Sequence, residues 1–155
     1  MSDSRADENR EVVARYFELM QAGAPEIEAL FSEDACWLAP QSSPLGRRHA
    51  GKAAVLELMA SGVGLYDQTQ PMETRLETMA AQGDHVFVEL TLAATTRSGE
   101  PYENHYVFVF RIENGLIREV HEHLDTLYTQ RRLFDPVGQV SPLEPAGSDA
   151  SREGA

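Results

Sequence analysis

The chain has almost no cysteine, a deficit of basic charge and no long apolar run. Cys36 is alone among 155 residues, which excludes an intrachain disulfide and a cysteine-built zinc site. Lys and Arg number 13 against 25 Asp and Glu, for a formal net charge of −12. Nucleic-acid binding draws on a basic surface that displaces counterions, so this balance argues against it. No apolar segment approaches the roughly 20 residues of a membrane span. The opening, MSDSRADENREVV, is polar and lacks the apolar stretch of a signal peptide. The expected setting is the cytoplasm, with neither membrane nor nucleic acid as partner. What remains is ordinary: 42% hydrophobic and 25% charged residues, in a length that suits one domain around one core.

Residues 7–22, DENREVVARYFELMQA, carry Val12, Val13, Tyr16, Phe17, Leu19 and Met20 at helical spacing, and Gly23 ends the run. A short helix is expected after Pro25, a brief strand at DACWLAP, a loop over 41–50 and a second long helix in GKAAVLELMASGVGL. From Thr69 onward the period changes to two. Four strands are predicted near 70–82, 84–97, 101–112 and 116–125, divided by Gly83-Asp84, Ser98-Gly99 and Asn114-Gly115. Helices followed by an antiparallel meander give an α+β fold: a curved antiparallel sheet with N-terminal helices closing one face, a cone able to hold a small molecule. The domain is expected over 1–136. The tail from 137 to 155, rich in Pro, Gly, Ser and acid, is expected to be disordered.

The stretch EVHEHLDT carries Glu119, His121, Glu122, His123 and Asp125 on an apparent strand, where alternate residues face opposite ways. On the preceding strand Tyr102, Asn104, Tyr106, Phe108, Phe110 and Ile112 share one face, which is the better interior because aromatic rings contribute most by burial. Val120 and Leu124 flank Glu122 on a common face, so Glu122 is expected to point inward and His121, His123 and Asp125 outward. Two hairpins are possible. A two-residue Asn114-Gly115 turn pairs Val107 with Glu122, and a three-residue loop from Glu113 pairs Tyr106 with Glu122. The burial pattern favours the three-residue loop, which also sets His105 beside His123 and Val107 beside His121. A carboxyl among apolar neighbours has a raised pKa and can serve as a general base. Tyr106 and Asn104 are the nearby donors.

The segments VVARYFELMQAG, LFSEDACWLAP, HAGKAAVLELM and YENHYVFVFRIENGLIREVHEHLDT resemble the nuclear transport factor 2-like superfamily, in its SnoaL-like and ketosteroid-isomerase-related branch, over about residues 8–130. The resemblance implies a cone-shaped cystatin-like α+β barrel, a homodimer, and chemistry without a cofactor. In ketosteroid isomerase a tyrosine and a protonated aspartic acid hold the oxyanion while a second aspartate is the base. The resemblance puts that tyrosine at Tyr16, but it puts the base at Ala39 and the protonated acid near Phe108, so two of the three groups are absent. The acid/base aspartate of SnoaL-like cyclases falls on Glu122, counted from GLI.

Glu122, Tyr16 and Asn104 are therefore the candidate catalytic residues. Trp37, Tyr106, Phe108, Leu124 and His49 are candidates for contact with a hydrophobic or aromatic small-molecule substrate. Each has a plainer reading: Glu122 as a satisfied buried acid, Tyr16 as a core tyrosine, Asn104 bonded to backbone, Trp37 as wall. His49 begins a helix and could reach the cone mouth. The histidines of the outer face could chelate a metal, but a half-polar outer face, or a dimer contact, is the preferred reading and no metal is expected. Three functions stay open: a proton-transfer isomerase, cyclase, dehydratase or lyase; a binding protein without chemistry; and an interaction domain using the convex sheet.

Overall fold

Helix α1 (Ser4–Ala22) opens the computed structural model, which describes residues 3–145. Asp3 caps its start by accepting from the Arg5 amide at 3.2 Å, and Gly23 ends it in the left-handed region. Val13, Tyr16, Phe17 and Leu19 form its buried stripe. A 3₁₀ turn (Pro25–Leu30) leads into β1 (Phe31–Leu38), β2 (Arg48–Ala50) and α2 (Lys52–Val63). Four strands follow: β3 (Glu73–Gln82), β4 (His85–Thr95), β5 (Pro101–Glu113) and β6 (Leu116–Leu124). The strand order is β2-β1-β6-β5-β4-β3 in one curled sheet. The antiparallel meander is where the turn signals put it. Strand β1, however, joins parallel to β6, with Trp37 opposite Val120, and β2 forms inside the expected loop by pairing with β1. Val86, Val88, Phe110, Ile117 and Val120 are at most 1% exposed and make the floor on which α1 and α2 rest.

The β5–β6 hairpin corrects the expected register. Its turn has two residues, with Asn114 at φ 51° and Gly115 at φ 75°, and Glu113 pairs with Leu116. That turn alone would send Glu122 outward. Between the pairs Ile112–Ile117 and Arg111–Glu119, however, Arg118 is left over as a bulge. The extra residue shifts the ladder by one, so Phe108 opposes Glu122 and Val109 opposes His121. The three-residue loop and the Tyr106–Glu122 pair are thus absent, yet the faces agree with the burial pattern. The positive φ at both turn positions is what Asn-Gly tolerates and other pairs resist. Gly115→Ala is expected to cost about 1–2 kcal/mol, read as a lower denaturant midpoint at unchanged slope. An unchanged midpoint would contradict the turn geometry.

After β6 the chain turns back over the open end of the cone. Asp125 accepts from the Tyr128 amide at 3.0 Å and so starts α3 (Thr126–Thr129), which runs into a π-helical turn (Gln130–Phe134) and a 3₁₀ turn (Asp135–Val137). Leu133 and Phe134 are buried against the core. The segment expected to be disordered from residue 137 begins with chain still tied to the domain, since Gln130 Nε2 donates to the Gln139 carbonyl at 2.9 Å. Its remainder, 146–155, lies outside the described residues.

Candidate active site

The concave face of the sheet, α1, α2 and the C-terminal turn enclose a cavity of about 480 Å³. Its walls are mainly apolar and aromatic, among them Phe17, Trp37, Leu90, Phe108 and Phe134. Among the described residues lining it, Glu122 is the one ionisable at neutral pH. Trp37 on β1 donates its indole N–H to Glu122 Oε2 at 3.0 Å. The parallel β1–β6 pairing makes this bond possible, because it sets Trp37 beside Val120 and so next to the inward face of β6. The other carboxylate oxygen has no hydrogen-bond partner among the described residues. Burial raises the pKa of Glu122 above its ordinary value, and the Trp37 bond only partly opposes this. The side chain keeps some accessible surface because it faces the cavity.

Trp37→Phe removes the one donor to that carboxyl and is expected to raise the Glu122 pKa further. Carbon NMR titration of labelled glutamate carboxyls would read it. A midpoint that stays put or falls would show that the indole bond does not stabilise the ionised form.

Tyr16 lies across from the sheet, with its ring packed edge-on against Phe17 and Phe110 at 5.0 and 5.3 Å. Its hydroxyl makes no hydrogen bond among the described residues. Burial first, and then the charge of nearby Glu122, push its pKa well above the ordinary tyrosine value. It therefore stays protonated and able to donate. Trp37, Tyr106, Phe108 and Leu124 also line the cavity.

Two of the sequence candidates lie elsewhere. Asn104 is buried behind the wall, where its Nδ2 donates to Thr129 Oγ1 at 2.9 Å and to the Tyr102 hydroxyl at 3.1 Å. His49 sits on β2, not at a helix start, and its ring turns back to the Gly46 carbonyl at 3.3 Å. It borders a separate, smaller pocket with Glu57 and Ser61. Conversely, Tyr66 was missed. It follows α2 in a stretch with no period, yet it lines the cavity and its hydroxyl lies beside those of Tyr102 and Tyr106.

On the convex face, Val107 opposes His123 and Val109 opposes His121, which replaces the expected His105–His123 neighbourhood. His105 Nδ1 instead meets Thr91 Oγ1 at 3.0 Å, and His121 pairs with Glu119. Among the described residues no group of three or more His, Cys, Asp or Glu is placed to hold a metal ion. No helix among them is long and apolar enough to cross a membrane.

A family model described as a SnoaL-like domain matches residues 13–120, most of the chain. The chain belongs to the SnoaL-like domain family. An NTF2-like protein of unknown function from Burkholderia pseudomallei K96243 superposes with a TM-score of 0.72 at 24% identity, over 86% of this chain and 99% of that one. A proposed SnoaL-like polyketide cyclase from Jannaschia sp. CCS1 gives 0.74 at 15% identity, over 86% and 96%. TerC, crystallised with polyporic acid, gives 0.73 at 20% identity, over 81% and 98%. No curated protein matches the chain. The SnoaL-like cone accounts for the curled sheet and the N-terminal helices, and likenesses at these identities carry the fold alone.

Proposed function

We propose that this SnoaL-like protein catalyses proton transfer on a hydrophobic or aromatic small molecule, without a cofactor. The observation that carries the reading is the lone Glu122 carboxyl, held through one oxygen by Trp37 in an otherwise uncharged, apolar cavity. A carboxylate in such a site is a stronger base than in water, because burial disfavours its charged form. It would take a proton from a carbon next to a carbonyl and return it elsewhere on the substrate. The negative charge then develops on the carbonyl oxygen, where the Tyr16 hydroxyl, protonated and without a partner, could donate. One carboxylate that removes a proton and then, protonated, returns one suits isomerisation, aldol-type cyclisation, dehydration or retro-aldol cleavage. Epoxide opening, which uses paired carboxylates around a water, fits less well. The polyketide cyclase proposed for the Jannaschia relative belongs to the same class of chemistry.

The test is solvent hydrogen exchange. A panel of aryl ketones and cyclic enones is incubated in deuterated water with the protein, and exchange next to the carbonyl is followed by proton NMR. Exchange above background that is lost in Glu122→Gln supports the reading. Ligands that bind in the cavity and never exchange would favour the binding protein, a rival supported by Ala39 and Phe108 standing where the resemblance puts two acids.

A further inference from the structure

Behind the cavity wall lies a chain of polar groups that proton transfer at Glu122 does not itself require. Asn104 Oδ1 accepts from the His105 amide at 2.8 Å, which fixes the amide so that Nδ2 points to the hydroxyls of Thr129 and Tyr102. Thr129 gives its own proton to the Asp125 carbonyl at 2.9 Å, so towards Tyr102 it can only accept. The Tyr102 hydroxyl, receiving from Asn104, therefore has one proton and two neighbours able to take it: Thr129 at 3.1 Å and Tyr106 at 2.6 Å. Both arrangements keep Asn104, Tyr102 and Thr129 hydrogen-bonded. In one, Tyr106 donates to Tyr102 and Tyr102 to Thr129. In the other, Tyr102 donates to Tyr106, whose own proton is turned towards the neighbouring Tyr66 hydroxyl or towards an acceptor in the cavity. Asn104 and Tyr102 are buried, whereas Tyr106 and Tyr66 line the cavity.

We infer that Asn104, Tyr102 and Tyr106 form a switchable donor chain that binds the oxygen of a hydroxylated or keto-bearing aromatic ring in the cavity. Asn104 is then a positioning residue that acts through Tyr102. A hydroxyl that accepts a hydrogen bond is the better donor for it, so the amide strengthens the bond Tyr106 makes to the ligand. Geometry supports a flat ligand. Tyr106 and Phe108 lie parallel, 4° apart with ring centroids at 5.9 Å, and Trp37 meets Phe108 edge-on at 5.8 Å. Tyr106 and Glu122 are diagonal neighbours on the inner face, since Phe108 opposes Glu122 and Tyr106 opposes Leu124. Such positions are about 7–8 Å apart, enough for a ring with its oxygen at Tyr106 and a carbon facing Glu122. This deepens the proton-transfer reading by naming the substrate class, and it rests on that reading only for the role of the facing carbon.

The test needs binding and no turnover. Affinities of the full-length protein for 2-naphthol and for naphthalene are measured by fluorescence, in wild type and in Glu122→Gln. The expected result is about tenfold tighter binding of 2-naphthol, the worth of one hydrogen bond, with the preference erased by Tyr106→Phe. Asn104→Ala is expected to weaken 2-naphthol several-fold and leave naphthalene unchanged, a split that loosened packing would not produce. Should Asn104→Ala fail to fold, Tyr106→Phe decides alone. Equal affinity for the two probes, a preference that survives Tyr106→Phe, or no binding of either would overturn the inference. Those failures leave hydrogen exchange by Glu122 untouched, and a Glu122→Gln variant that keeps exchanging leaves the naphthol preference untouched.

Discussion

Glu122→Gln is expected to lower turnover about 10²–10⁴-fold, the usual worth of a positioned proton carrier, while the protein remains folded. Glutamine keeps the shape of the side chain, and its carbonyl can still accept from the Trp37 indole, so the bond at 3.0 Å has a natural replacement. Only proton exchange is lost. The pH dependence separates this from a packing defect. The folded pKa of Glu122 is raised above 4.5 because burial outweighs the Trp37 bond. Well below that value both folded and unfolded chains are protonated, and the group contributes nothing to stability. As pH rises through the ordinary value the unfolded chain ionises first, so stability falls until the folded pKa is passed and then levels off. The glutamine variant has no such decline. It is expected to be at least as stable as wild type at neutral pH, with the advantage disappearing in acid, as read by denaturant titration at several pH values. Wild-type activity should rise with pH along the ionisation of Glu122, with a midpoint above 4.5. A variant that is inactive and also unstable at neutral pH would make Glu122 a structural acid. A variant with wild-type turnover would remove it from the chemistry.

The same carboxyl shows how far the sequence could be read. The facing of Glu122 was legible because Val120 and Leu124 flank it at period two, and one apolar face must be buried. The register was not. Asn114-Gly115 fits turns of either length, and the bulge at Arg118 leaves no mark in composition. The meander strands were legible from alternation and glycine-bearing turns. The parallel β1–β6 pair was not, because it joins distant segments, and with it went the Trp37–Glu122 bond. Sequence reasoning had Trp37 as a wall and looked to Tyr106 and Asn104 for donors. Asn104 shares the aromatic face of β5 by parity, but α3 and its cap Asp125 fold over that end of the strand and claim its amide. Those turns are too short for a periodic signal. Tyr66, a single aromatic after Gly64, has no pattern to mark it, and only the closing of the cone brings it to the cavity.

Deleting His121 is expected to be far more damaging than deleting Arg118, although each shortens β6 by one residue. Ile117 and Val120 are both buried although their numbers differ in parity, and the bulge at Arg118 is what reconciles them. Without Arg118 the ladder runs from Ile112–Ile117 straight to Arg111–Glu119 and Phe110–Val120, so every pair and every facing along β6 is kept. What is lost is the arginine side chain, which pairs with the Asp34 carboxylate at 3.2 Å, an acid 72% exposed, and donates to the Asp34 carbonyl. Exposed ion pairs are worth at most about 1 kcal/mol, so this deletion should keep a cooperative transition and an inward Glu122. Losing His121 has no such remedy. If the bulge stays, Glu122 moves opposite Val109 on the convex face, Leu124 follows it outward and His123 takes its place opposite Phe108. If the bulge is absorbed, Glu122 stays opposite Phe108, but Val120 moves outward opposite Val109 and Glu119 enters opposite Phe110. Exposing Val120 or Leu124 forfeits about 1.5–3 kcal/mol. Placing Glu119 or a histidine among Phe110 and Trp37 without partners adds several more. Either route takes much of the roughly 5–15 kcal/mol that holds a domain of this size together. The His121 deletion should abolish the cooperative transition and the near-UV signal of Trp37, whereas the Arg118 deletion keeps both. An Arg118 deletion as damaging as the loss of His121 would mean that the bulge does not set which face Glu122 shows.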